Sequence, residues 1–362
     1  MTYENPKLVL TSSEIEEGEV HWRSPSNIAI VKYWGKHGNQ LPKNPSLSFT
    51  LQNAFTETLI RYRARKEQGT EAVSFQFFFE QKPRPEFEPK LRSFFEHVLP
   101  IFPFLGQLDI EIHSANSFPH SAGIASSASA MSALALCLCS MEDLFFGSLQ
   151  EDEAFDRKAS YAARLGSGSA CRSIYPKAAL WGKTGLIDGS SDEYAIPMAE
   201  QLHPVFQDFH DDIMLVSSKR KETSSTAGHQ TMNEHPFAER RYEHAKKQLH
   251  FLIEALRQGD VETFGKIAEA EALELHALMM SANPPYLLMQ PNTLSMIDKV
   301  WAFRRETKLP LYFSLDAGPN LHLLYPEEEM HAIRPFIESE LVPLCEDGQW
   351  LADWQGEGPE EI

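Results

Sequence analysis

Cysteine is scarce in this chain, four residues among 362, and no Cys-x-x-Cys pair exists. That excludes a disulfide framework and makes no case for a cysteine zinc site. Long apolar runs are missing as well. The longest, residues 130–138, falls far short of the roughly 20 residues that cross a bilayer. The segment Met1-Thr2-Tyr3-Glu4-Asn5 has neither the basic nor the apolar region of a secretory leader. Positive charge is the third shortage, with 33 Lys and Arg against 51 Asp and Glu and a formal net charge of -18. Such a field repels nucleic-acid backbones and anionic membrane surfaces, so neither is an expected partner. Together these shortages predict a protein of a reducing cytoplasm. An anionic small substrate would need a local cluster of Lys, Arg and backbone amides set against the global field.

What is present predicts a folded chain of two or three domains, 42% hydrophobic and 23% charged. The first half reads as strands, with alternation over 57–63 and 108–113 and an aromatic run over 73–79. Pro83, Pro85 and Pro89 precede a helix through Leu91 and Phe95. Residues 127–141 predict a buried helix rich in Ala and Leu. After about residue 205 the texture changes. A strand at 212–217 leads into a polar loop, 219–229, and then two amphipathic helices at 237–257 and 261–280. Gly259 and Asp260 between them are C′ and N-cap signals. A helix at 293–305 and two strands around 316–320 follow, and the acidic tail 356–362 reads as frayed.

Several chemistries fail at the motif level. No His-Glu-x-x-His exists, which removes a metalloprotease. Gly182-Lys183-Thr184 ends like a Walker A loop, but the earlier glycine position holds Lys177. Gly166-Ser167-Gly168-Ser169-Ala170 is not a Gly-x-Ser-x-Gly elbow.

Four segments carry chemistry instead. The loop of small residues ending in Ala125-Ser126-Ser127 opens the buried helix, so unpaired N–H groups and the helix dipole make an anion site there. Arg172 follows the turn 166–170 and offers a planar fork for a carboxylate or phosphate. Lys32 and Lys36 stand four apart after a buried strand, and Asp316 sits in a turn before Gly318, Pro319 and Asn320. Read singly, each has a bland alternative: a capped turn, a surface arginine, two solvated lysines, an aspartate bonding its own backbone.

Taken together and in this order, the segments resemble the diphosphomevalonate decarboxylases of the GHMP kinase superfamily. Asn27-Ile28-Ala29 through Lys32-Tyr33-Trp34-Gly35-Lys36 resembles their substrate segment, and Ser46-Leu47-Ser48 extends it. Phe118-Pro119 through Gly123-Ile124-Ala125-Ser126-Ser127-Ala128 resembles the superfamily phosphate loop. The blocks 166–173 and 316–320 are similar to two that mark decarboxylases within it.

The resemblance implies an α+β fold of two domains. Residues 1–205 would form the N-terminal domain with its phosphate loop and a left-handed crossover, and 206–362 a ferredoxin-like domain. It implies ATP-dependent decarboxylation of mevalonate 5-diphosphate to isopentenyl diphosphate, with ATP and magnesium as cofactors and a homodimeric assembly. Asp316, Arg172 and Lys32 would be catalytic. Asn27, Tyr33, Lys36, Ser167, Ser169 and Ser225 would bind substrate. Ser114, Asn116, Gly123, Ala125, Ser126 and Ser127 would meet the nucleotide, with Ser127 also on the metal. Departures from the family pattern fall at the phosphate end: His37-Gly38, Pro45, and Thr226 where some members carry arginine. They leave open a relative acting on mevalonate 5-phosphate, or a mevalonate-type kinase. A catalytically silent nucleotide-binding protein is a third reading, but it should have lost a charged site residue, and none of Lys32, Arg172 or Asp316 is missing.

Overall fold

The computed structural model describes residues 3–11, 16–66, 70–119, 124–219 and 225–362. Strand β1 (Gly18–Ala29) pairs antiparallel with β2 (Ser46–Ala64), whose 19 residues are the spine of the first sheet. Proline cannot donate to a ladder, and at Pro25 the register slips, resuming at Asn27. Such a bulge re-aims the neighbouring side chain, here Asn27. The second half of β2 alternates between buried and more exposed residues, as a one-faced strand should, while residues 46–51 are buried on both faces. The reason is a second domain: Phe49 stacks on Phe264 at 5.4 Å and packs with Phe206 and Phe209.

β3 (Ser74–Phe79) runs parallel to its neighbour β4 (Leu108–Asn116), with α1 (Glu88–Val98) in the connection. Helix α2 (Ser126–Phe146) outruns the expected 127–141 at both ends. It is long and apolar enough to cross a membrane by composition, but here it packs against β1, β2 and α3 (Asp152–Gly166) in the core. β5 (Ala178–Trp181) and β6 (Ala195–Pro197) extend the sheet from the first half of β2.

The second domain starts with β7 (His210–Met214) and α4 (Ser225–Thr231). The polar loop expected over 219–229 therefore ends in a helix. Next come α5 (Ala238–Gln258) and α6 (Val261–Met280), divided as the caps required: Gly259 is left-handed at φ 77° and the Asp260 side chain accepts the Thr263 N–H at 2.9 Å. Then follow α7 (Pro291–Thr307), β8 (Tyr312–Leu315), β9 (Leu321–Tyr325) and β10 (Trp350–Leu351). The strands form an antiparallel sheet ordered β8-β9-β7-β10. The mixed α+β, two-domain architecture is the one the resemblance implied.

The tail corrects one expectation. Residues 356–362 are not frayed, because they return to the first sheet. Gly356 donates to the Thr50 carbonyl at 2.8 Å, and β11 (Glu360–Glu361) pairs with Trp22 and Arg23 on the free edge of β1. Just before it, the Asp353 carboxylate accepts the backbone N–H groups of Gln52, Asn53 and Ala54, each at 2.8 Å. Acidic composition predicted solvation, but pairing of backbone groups decided the outcome.

Candidate active site

A cavity of about 330 Å³ opens where the two domains meet. Among the described residues four cations line it, Lys32, Lys36, Lys90 and Arg172, against one carboxylate, Asp316. In a chain of net charge -18 this inversion makes a local anion trap.

Asp316 occupies the turn between β8 and β9, closed by a 2.7 Å bond from the Gly318 N–H to its carbonyl. His276 Nε2 lies 3.1 Å from the same oxygen. Lys32 reaches in from the end of β1, its ammonium donating to Asp316 Oδ1 at 3.2 Å and to Ser314 Oγ at 2.9 Å. It is only 2% exposed, so the reading of a solvated lysine fails. Burial lowers its pKa, and the Asp316 carboxylate opposes that shift. Behind it, Glu271 on α6 accepts the Lys32 backbone N–H at 2.8 Å, and Arg241 on α5 grips Glu271 at 2.8 and 2.5 Å. A buried ion pair of this kind is costly to break by removing one partner, so it fixes the Lys32 backbone firmly.

Arg172 is also 2% exposed, not a surface arginine. Its Nε donates to Ser48 at 3.0 Å, Nη1 to Ser46 at 2.9 Å and Nη2 to Asn27 at 3.3 Å. Each terminal nitrogen keeps a second N–H, so a planar pair of donors remains for a ligand. Asn27 is itself fixed by bonds from Nδ2 to Ser173 Oγ at 2.8 Å and the Ser169 carbonyl at 3.2 Å.

At the same cavity, the Tyr33 hydroxyl is buried without a partner among the described residues, and burial raises its pKa, keeping it a donor. Lys36 contacts Gln40 at 2.9 Å, and burial lowers its pKa. Lys90 is exposed as a residue, yet its ammonium turns into the cleft, where burial and the Lys36 charge lower its pKa. Ser167 and Ser169 line the same wall, and Ser167 Oγ lies 3.1 Å from Ser127 Oγ.

A smaller cavity of about 150 Å³ adjoins the first, and Lys90 and Ser127 line both. Its walls include Phe77, Phe79, Phe87 and Met131, an apolar slot for a flat ring, together with Ser114, Asn116 and Ser126. Asn116 Oδ1 accepts from Thr56 at 2.8 Å, while its Nδ2 is buried with no partner among the described residues. Ala125 precedes α2 in the left-handed region, at φ 41°, and among the described residues no side chain caps the helix. Its first N–H groups therefore stay available to an anion, at the cost of a strained alanine.

The structure thus brings together all the expected residues but two. Gly123 lies outside the described residues, as does the side chain of Ser225, whose backbone opens α4. Among the described residues no group of three or more His, Cys, Asp and Glu side chains could hold a metal. Reading the sequence missed Lys90, Ser314, the Glu271–Arg241 pair and His229.

His229 gives a prediction of its own. Burial, and then the charge of Lys36, lower its pKa to about 3. Between that value and the usual 6.5 the unfolded chain binds a proton that the folded chain refuses, so stability falls as pH drops through this window. His229→Gln should flatten that acid limb, measured as chemical denaturation midpoints from pH 4 to 7. An unchanged slope would place the loss elsewhere.

The signature of the diphosphomevalonate decarboxylase-like N-terminal domain matches residues 24–195. That of the mevalonate 5-diphosphate decarboxylase C-terminal domain matches 213–355. The diphosphomevalonate decarboxylase of Ganoderma lucidum is 31% identical over 341 residues, covering 87% of this chain and 80% of that protein. The chain belongs to the diphosphomevalonate decarboxylase family. Solved structures of this family agree in fold. The mevalonate diphosphate decarboxylase of Staphylococcus aureus superposes with a TM-score of 0.80 at 29% identity, covering 96% of this chain and 98% of that one. A structure described as MDDEF in complex with MVAPP, AMPPCP and magnesium gives 0.79 at 28% identity, covering 96% and 99%. The blocks 27–36, 118–128 and 166–173 fall in the first matched region and 316–320 in the second, the regions whose meeting builds the diphosphomevalonate decarboxylase cleft.

Proposed function

We propose that the chain catalyses ATP-dependent decarboxylation of mevalonate 5-diphosphate to isopentenyl diphosphate, releasing ADP, phosphate and carbon dioxide. The observation that carries this reading is the meeting of Lys32, Asp316 and Arg172 in one cavity beside an uncapped helix N-terminus. Relatives support it, including one solved with MVAPP, AMPPCP and magnesium.

The residues suit a magnesium nucleotide. The aromatic slot would take the base, and Ser114 and Asn116 would contact the nucleoside. Lys90, Gly123, Ala125, Ser126 and Ser127 would surround the phosphates. With no carboxylate cluster among the described residues, magnesium would rest on the nucleotide phosphates and the Ser127 hydroxyl. When bound, this group supplies the phosphoryl that turns a tertiary hydroxyl into a leaving group.

Asp316 accepts the proton of that hydroxyl, and the Lys32 ammonium 3.2 Å away offsets the charge that gathers there. Arg172 holds the substrate carboxylate with its two remaining N–H groups, and Asn27 keeps the guanidinium in plane. As phosphate leaves, the carboxylate carbon departs as carbon dioxide and its bonding pair becomes the new double bond. Tyr33, Lys36, Ser167, Ser169 and Ser225 hold the diphosphate. We further place the enzyme in the cytoplasm as a homodimer. Its four buried free thiols suit a reducing compartment, and light scattering and cell fractionation test both points.

Release of carbon dioxide and ADP, compared for mevalonate 5-diphosphate and mevalonate 5-phosphate with magnesium-ATP, is the direct test. One of each product per diphosphate consumed is expected. Activity with the monophosphate alone would assign a different substrate, and ADP without carbon dioxide would leave a kinase.

A further inference from the structure

The helix α4 carries His229 into the cavity wall. Its Nδ1 accepts the Gly35 backbone N–H at 3.0 Å. A backbone N–H can only donate, so Nδ1 is unprotonated and the ring proton sits on Nε2. Gly35 cannot readily be replaced. Its φ is +103°, and a Cβ there would lie 2.2 Å from the Tyr242 hydroxyl oxygen, so the direction of its N–H is fixed.

The imidazole packs against the rings of Tyr33 and Trp34, with centroids 4.5 and 4.6 Å away. The residue is 8% exposed. No described residue accepts from Nε2, and the charged group facing the ring is Lys36. Protonation would set a second cation beside Lys36 and turn Nδ1 against the Gly35 N–H. The ring is therefore a fixed, uncharged donor at the phosphate end of the cleft.

We propose that His229 is a substrate-binding residue whose Nε2–H donates to the distal phosphoryl group of the bound acid. It complements Lys36 with a directional hydrogen bond in place of a further charge. This rests on the reading that a diphosphate occupies the cleft, and the experiment separates the two.

Calorimetric titration of the full-length protein with mevalonate 5-diphosphate, without nucleotide, measures the contact directly. His229→Asn keeps an acceptor near the Nδ1 position and loses the distal donor. His229→Gln places an amide N–H near the Nε2 position. The expected result is a rise in Kd of about tenfold or more for His229→Asn, since a hydrogen bond to a charged group has that weight. His229→Gln should stay within about threefold of the original protein, and mevalonate 5-phosphate should bind both variants alike.

Equal diphosphate Kd values for all three proteins would overturn the role of His229 alone. Failure of the unmodified protein to bind the diphosphate would overturn the functional reading with it. Should His229→Asn not fold, nitrogen-15 spectra of the unmodified protein decide. A neutral Nε2–H tautomer whose proton resonance moves on adding the diphosphate is expected, and an Nδ1–H tautomer or an unmoved resonance would refute the proposal.

Discussion

Replacing Asp316 by asparagine is expected to lower turnover by about three orders of magnitude while leaving nucleotide binding nearly unchanged. A positioned general base contributes roughly 10² to 10⁴ in rate, and the amide cannot accept the proton of a tertiary hydroxyl. Asparagine still offers an oxygen to the Lys32 ammonium, so the buried cation keeps a partner and the fold should survive. The rate loss should appear in kcat, with substrate Kd altered little. Single-turnover assays of ADP and carbon dioxide, with nucleotide titration as the control, measure it. Turnover within tenfold of the original would remove Asp316 from the proton transfer.

The second large effect falls at Arg172. Its hydrogen-bond partners Ser46, Ser48 and Asn27 fix the guanidinium and leave one N–H free on each terminal nitrogen. Arg172→Lys keeps the charge and loses the fork. Two charge-assisted hydrogen bonds are worth about 3–6 kcal/mol together, so kcat/KM should fall by roughly 10² to 10⁴. Carbon dioxide and ADP should decline in step, because both depend on the acid lying in one pose. Arg172→Ala would add the cost of an emptied polar site and is the less informative variant. Unchanged kinetics for Arg172→Lys would mean that the substrate carboxylate is held elsewhere.

The sequence revealed what lies within one continuous segment. Asp260 and Gly259 signalled the break between α5 and α6 because a cap acts on its own turn. The strand at 108–113 was readable because its alternation reports one buried face. The blocks around Lys32, Ser127, Arg172 and Asp316 were legible for the same reason. What failed to show was pairing between segments. Glu271 and Arg241 lie 30 residues apart on amphipathic helices, where charges ordinarily read as solvated, yet they meet in the core. Lys90 lies on an unremarkable helix and becomes a cleft residue only once α1, packed on α3, faces the start of α2 across the smaller cavity. His229 looked like the end of a polar loop, since no apolar period marks the two turns of α4. The tail was misread because composition governs solvation only where backbone groups find no partner.

The return of β11 to the edge of β1 bears on the order in which the molecule can be completed during synthesis. The first sheet has all its other strands once residue 197 has left the ribosome. Its edge nevertheless stays open until residues 360 and 361 arrive. For that interval β1 presents unpaired N–H and C=O groups, the surface on which another nascent chain can add a strand. The domain made first is thus closed late. Removing residues 360 and 361 should therefore raise aggregation during expression more than it disturbs the finished cleft.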